Sequence, residues 1–419
     1  EEAKIIAFSS FPDSAICDLC EIVYTFRGRS LGSSPPSHSR SADLGPAAAD
    51  SSFYYAYVFF RQKKDPFLKR GCFQKSLVLI SPLPYHGLFT KIVRLLGPPY
   101  FELGHSILET AAHSIGTDWP SPARSTIDPP PQSGAGPLVD LPFLGSTLQV
   151  ELPPPSGHQL LETCAFDMSR LDPSHQILAT VQIDGLFSAF EHSLEDLWKC
   201  WELMMVGEPL VVMADSPAEC SQAVLALVDL IQPITYCGDV RPYFTIQDAE
   251  FKSYVSKTRI PPNASNVLAS LQIQSPQWLS NETHRSGLQT KWKSVVGKDR
   301  ALLAKITTAA EAGYTSSYIL NNILRRHFLD LTEKFLAPLN RYFSTLIPKT
   351  NPLLHNNLTN RPYSQQPQPQ PQQLRLQLKP FNQEDFLKSL HAHGSQIPLR
   401  NSFGSNVDYI VFYRQFLTC

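Results

Sequence analysis

Several short stretches of this chain carry residue types at spacings that could do chemistry. Cys17-Asp-Leu-Cys20 has the spacing of half a zinc site, which would need a second ligand pair to close the tetrahedron. No such pair follows at zinc-site distance, so both thiols are read as ordinary cysteines. His391-Ala-His393 closes a polar helical stretch and reads as a solvated helix end. Gly297-Lys-Asp299 lacks the upstream glycine and the hydroxyl residue of a phosphate-binding loop, so the chain is not itself a GTPase. Neither a G-x-S-x-G elbow nor an H-E-x-x-H helix occurs, which leaves hydrolase chemistry without a candidate. No catalytic residue, metal ligand or cofactor site is therefore assigned. What remains is Asp239-Val-Arg241-Pro-Tyr243-Phe-Thr-Ile-Gln-Asp248, which gathers carboxylates, a guanidinium and aromatic rings as a contact surface would.

The elements that must position this motif are unusually legible. Leu194, Leu197, Trp198, Trp201 and Met204 recur at helical spacing and fall on one face. Gly207 suits the left-handed position that ends such a helix. Pro209 to Ala214 is a continuous apolar run, the pattern of a strand covered on both faces. Ser216-Pro-Ala-Glu219 is a capping box with Pro at the first helical position, opening an apolar helix to Ile231. A second strand is expected between that helix and Arg241. Glu208, Asp239, Arg241, Tyr243 and Asp248 then sit at strand or helix ends, as a rim. Arg and Tyr are enriched in interface hot spots, which suits the rim to a protein partner. The competing reading is that Arg241 pairs with a neighbouring carboxylate and pins a loop. Trp198 and Trp201 are assigned to the core.

The first module is placed at residues 1–116. It holds strands at Phe53–Phe60 and Gly71–Ile80 and helices at Leu88–Leu96 and Ile107–Ile115. Between the two strands, Lys63–Arg70 is too polar and too broken by Pro66 to continue either, and reads as a solvated edge or an acidic-surface contact. Residues 28–50 form a Ser/Pro/Ala/Gly-rich insertion, read as disordered. A Pro/Ser-rich linker at 117–136 leads to the central module, 137–260, with strands near Ser146–Leu152 and Ala179–Val181 before the core. Residues 261–297 read as a weakly patterned connection. The third module, 298–419, is helical from Asp299. Its best helix runs Tyr318–Phe343, with Pro338 expected to kink or end it, and a last helix spans Gln383–His391. A Pro/Gln-rich interruption occupies 348–380 and has no large run of apolar residues with which to build a core.

Composition narrows the function further. With 419 residues the chain is long enough for two or three domains. Its 36 Lys and Arg against 37 Asp and Glu give a formal charge of -1, which argues against nucleic acid as a partner. No apolar run spans a bilayer, so any membrane association is expected to be peripheral rather than integral. The eight scattered cysteines and the lack of a signal-peptide pattern are read as reduced cytosolic thiols. The chain opens without Met and closes within an apolar pattern, and is read as incomplete at both ends.

Leu197 to Pro217, extended by Asp239 to Phe251, resembles the central core of DENN-domain proteins, and within them the DENN domain-containing protein 6 subfamily. Tyr57–Lys63, Lys69–Ser81 and Arg325–Phe335 agree with the same family. The resemblance implies a fold of α/β and α+β parts: an N-terminal longin-like module, a central α/β module and a partial helical C-terminal module. It implies guanine-nucleotide exchange on a Rab-family small GTPase, gripped in its nucleotide-free or GDP-bound state, with recruitment from the cytoplasm to recycling endosomes. A non-catalytic Rab-binding adaptor or scaffold with the same fold is the alternative.

Overall fold

The computed structural model describes residues 2–12, 20–30, 53–120, 138–153, 176–182, 185–245, 269–272, 287–347, 379–400 and 407–418. Cys17, most of the 28–50 insertion, most of the 117–136 linker, Asp248 and the Pro/Gln tract lie outside these residues.

After a short helix, α1 (Glu2–Ser9), three antiparallel strands form the first sheet: β1 (Cys20–Arg29), β2 (Phe53–Lys64) and β3 (Cys72–Ser81), with β2 in the middle. The aromatic run of β2 is explained by its period of two. Tyr54, Ala56, Val58 and Phe60 join Tyr24 and Phe26 on one face, and Tyr57 and Phe59 meet Val93 of α2 (His86–Leu103) on the other. Helix α2 approaches closely at Gly97, where any Cβ would run into the Phe59 ring. The sheet is bonded to the end of α1 and the residue after it: Tyr24 donates to the Ser9 carbonyl at 2.9 Å and Ser76 to that of Ser10 at 2.6 Å.

Helix α3 (Ser106–Thr117) follows, then a second sheet of β4 (Leu138–Phe143), β5 (Ser146–Glu151) and β6 (Gln176–Leu178). Leu88, Ile92 and Leu96 of α2 share a core with Leu141, Phe143, Leu148 and Val150 of this sheet. The rest of the described chain comprises α4 (Gly185–Phe190), α5 (Leu197–Met205), β7 (Leu210–Met213), α6 (Pro217–Asp229), β8 (Ala269–Gln272), β9 (Gly287–Gln289), α7 (Arg300–Ala312), α8 (Ser317–Leu346), α9 (Gln383–His393) and α10 (Val407–Phe416). One hydrophobic cluster runs from Leu186 to Tyr413 and takes side chains from α4, α5, α6, α8, α9 and α10. The whole is a mixed α/β protein.

Several expectations hold in detail. Gly207 has φ 63°, and the Ser216 hydroxyl accepts from the Glu219 N–H at 3.3 Å while Glu219 accepts in turn from Asp215 N–H at 3.2 Å. Helices α7 and α9 start where expected, and the structure shows Asp299 and Asn382 capping them. Both His391 and His393 are exposed in the last turn of α9.

Others need correction. Helix α5 buries the expected face and almost every other side as well, because α6, α8 and the segment after β9 surround it. Strand β7 is not covered on both faces: among the described residues it is an edge strand, with Leu210 and Val212 against the core and Met213 exposed. The residues between Ile231 and Arg241 make no strand. Ala179–Val181 lies just past β6, which ends at Leu178. Lys63 and Lys64 continue β2, since a ladder partner in β3 outweighs their polarity. Pro98 and Pro99 do not end α2, and Pro338 does not end α8. Each loses a helical N–H, yet buried Leu96 and Tyr100, and buried Phe335 and Leu339, hold the flanking turns. A further helix, α10, follows the one expected to be last. The connection 261–297 supplies β8 and β9, and Gly28 and Arg29 belong to β1. Strands β1 and β4 were not anticipated.

Candidate functional site

The polar-aromatic motif lies where two parts of the molecule meet. Helix α6 packs on β1, and the chain leaving it turns back along the same strand. There the Arg241 Nε donates to both carboxylate oxygens of Asp239, at 3.2 and 3.3 Å. The Arg241 Nη1 donates to the carbonyl of Arg27, 214 residues away in sequence, at 3.5 Å. Arg27 itself places Nη1 at 3.7 Å from Asp239, so one carboxylate serves two guanidiniums. The Arg27 guanidinium also lies 3.6 Å above the centre of the Phe53 ring. Tyr243 meets Tyr24 edge to face at 5.1 Å between ring centres.

Asp239, Arg241 and Tyr243 are thus brought together, and with them Arg27 and Tyr24, which sequence reasoning missed. Nothing local to Arg27 signals a partner so distant in the chain. The side chains are 31% exposed for Asp239 and 12% for Arg241, so the carboxylate is the open member of the group. The geometry contains the loop-pinning pair that the sequence left as one alternative. Glu208 is not among these contacts; it lies in the turn from α5 to β7, where its N–H donates to the Leu203 carbonyl at 3.0 Å and burial pushes its carboxyl up.

The first sheet brings a titratable group close to this seam. His86 sits at the start of α2 with its Nδ1 3.2 Å from the Tyr57 hydroxyl and its ring edge-on to Tyr55. Burial, and then the Arg27 charge, hold its imidazole down to about 3, so it is neutral. Burial, with Tyr243 beside it, likewise pushes the Tyr24 hydroxyl well up.

A second feature, also missed, is the interior of the α5 region. Glu202 is fully buried and accepts from Trp292 Nε1 at 2.5 Å, Ser294 Oγ at 2.7 Å, Val296 N at 2.7 Å and Val295 N at 3.1 Å. Burial raises its carboxyl against the pull of these four donors. A lone Glu inside an apolar helix was the available signal that some segment must close over it. Arg325 of α8 reaches Asp229 with two bonds, at 2.7 and 3.2 Å, both side chains buried. Asn321 Oδ1 accepts the first N–H groups of α4, from Leu186 at 2.8 Å and Phe187 at 3.1 Å, and Trp201 Nε1 donates to Thr332 at 2.9 Å. Helix α8 is therefore bonded into the central core at three levels.

Beside this core opens a charged cleft of 1940 Å³, walled by Glu195, Lys199, Lys298, Asp299, His327 and Lys334 among others. Its walls come from segments far apart in sequence, so no local pattern marks it. Among the described residues, no group of His, Cys, Asp and Glu could hold a metal ion. No described helix is long and apolar enough to cross a membrane.

These features define a mixed α/β protein whose polar groups lock distant segments together and leave an open rim and a charged cleft. Relatives place it more narrowly. The chain is 33% identical to human protein DENND6B over 434 residues, which cover 95% of this chain and 69% of that protein. It is 32% identical to chicken protein DENND6A over 452 residues, covering 100% and 72%. The Dictyostelium discoideum DENND6 homolog is 29% identical over 514 residues, covering 100% and 65%. No family model matches the chain. The chain belongs to the DENND6 subfamily of DENN-domain proteins.

Proposed function

We propose that this chain promotes guanine-nucleotide exchange on a Rab-type small GTPase of endosomal membrane traffic, with peripheral association to the membrane. The observation that carries the reading is DENND6 membership over nearly the whole chain. In this reading residues 1–116 are the upstream longin-like module, 137–260 the central DENN module and 298–419 the downstream helical module. The GTPase rests on the rim of Glu208, Asp239, Arg241, Tyr243 and Asp248.

The seam geometry supports such a rim. Arg241 and Tyr243 fix β1 against the end of α6, so a partner seated there touches both the first sheet and the central core. Asp239 is the open side chain offered to it. An exchange factor makes and breaks no covalent bond. It binds the nucleotide-free GTPase more tightly than the loaded one, and linkage requires that it weaken nucleotide binding by the same factor. A shift of about 10⁴ needs roughly 5.5 kcal/mol of differential binding. An interface of about 1,600 Å² that holds the switches open can supply it.

The test is release of labelled GDP from a panel of Rab GTPases. Acceleration on one or a few members is expected. Binding to nucleotide-free GTPase without acceleration would select the adaptor reading, and no binding to any Rab would overturn both.

A further inference from the structure

The loop joining β2 to β3 is a preformed hairpin tip with two exposed apolar side chains in a ring of cations. Asp65 N–H donates to the Gly71 carbonyl at 3.0 Å, and Gly71 N–H donates to that of Leu68 at 2.8 Å. The Asp65 carboxylate accepts the Phe67 N–H at 3.0 Å, and Gly71 takes φ 72° to close the turn. This frame holds the Phe67 ring 96% exposed, with Leu68 beside it at 43%. Lys63, Lys64, Lys69 and Arg70, all exposed, flank the pair, against the single carboxylate of Asp65. Among the described residues no carboxylate pairs with Lys63, Lys69 or Arg70.

A phenyl ring presented on a rigid, convex tip contributes nothing to the fold's core. Apolar side chains that enter the headgroup boundary, with cations able to reach lipid phosphates beside them, are the chemistry of an interfacial anchor. Clustered Lys and Arg are attracted to the negative surface of an anionic leaflet. Strand β2 runs from the Arg27–Asp239 seam to this tip. At about 3.3 Å per residue the two lie roughly 30 Å apart, so a surface bound at one end leaves the other free.

We propose that the β2–β3 hairpin docks the protein on anionic bilayers, Phe67 and Leu68 entering the interface while Lys63, Lys64, Lys69 and Arg70 engage lipid phosphates. This deepens the peripheral association proposed above, yet its evidence is independent of exchange.

Sedimentation of the full chain with vesicles tests it, using phosphatidylcholine containing phosphatidylserine against phosphatidylcholine alone. Binding is expected only to the anionic vesicles. It should weaken as salt rises, because screening shortens the electrostatic reach from about 8 Å towards 3 Å. Lys69→Gln with Arg70→Gln should cost about fivefold per charge, and Phe67→Ser with Leu68→Ser about tenfold or more. Exposed positions leave the fold intact, which an unchanged Tm verifies. GDP release from a soluble Rab without vesicles should be the same for both variants as for the parent chain. Failure of the parent to bind anionic vesicles, or variants that bind as it does, would overturn the proposal. So would variants that lose exchange in the absence of lipid, which would assign the tip to an acidic protein surface. An exchange assay that fails for every Rab would sink the exchange reading and leave the vesicle result standing.

Discussion

The α5–α8 interior and the Arg27–Arg241 seam solve the same problem, joining distant chain segments through polar groups, in opposite ways. Inside, every bonded group is desolvated: Glu202 with four donors, Arg325 with Asp229 at 3% and 8% exposure, Trp201 with Thr332. At the seam one partly open carboxylate is shared by two guanidiniums at 3.2 and 3.7 Å, and an aromatic edge contact completes the join. Buried polar groups are costly to strand and so enforce one arrangement. An ion pair whose carboxylate stays partly exposed contributes less, because water competes for it. The contrast teaches that the interior enforces one arrangement more strongly than the seam does.

The largest effect is expected from Trp201→Ala, which empties a fully buried ring site and removes the bond to Thr332, whose hydroxyl keeps the Phe328 carbonyl. A loss of about 3–5 kcal/mol in denaturant unfolding is expected. A change too small to resolve would erase the distinction between the regions. Next, Arg325→Ala leaves Asp229 buried without its guanidinium and should cost about 3 kcal/mol. Replacing both by Leu should recover much of that loss, because the desolvation penalty goes with the charges.

A pH series probes the other side of the comparison. His86 titrates near 6.5 unfolded and only near 3 folded, so its contribution is complete above 6.5 and is lost as pH falls towards 3. About 1–2 kcal/mol should be gone by pH 5, and His86→Gln should flatten that part of the curve relative to the parent. An unchanged pH dependence in the variant would show that the ring is solvated. The smallest stability effect belongs to the seam: Arg241→Ala should cost about 1 kcal/mol or less while reducing exchange on the cognate Rab. Unchanged release from a folded variant would leave Arg241 as a loop pin alone.

Legibility followed the range over which each feature is decided. The Ser216–Glu219 cap and the Gly207 helix end each depend on a few neighbouring residues, and both could be read directly. Strand β4 escaped, although Gly145 at φ 78° marks its two-residue turn into β5, because Pro142 interrupts the alternation. The extra buried sides of α5, beyond the face that could be read, and the one-sided burial of β7 escaped for one reason. How many faces an element buries depends on what arrives from elsewhere in the chain.

Amino-acid order alone determined the helix caps, the apolar helices and strands, the absence of a phosphate loop or hydrolase motif, and a family pattern distributed along the chain. These follow from local backbone preference and side-chain period, which act within a few residues. Only tertiary structure decided that Glu202 is enclosed by Trp292–Val296, that α8 is bonded into the central core, and that Arg241 reaches Arg27 across 214 residues. A buried carboxylate or guanidinium must find a partner, but its chemistry says only what kind of group that is. Which one arrives is settled by the packing of the whole chain.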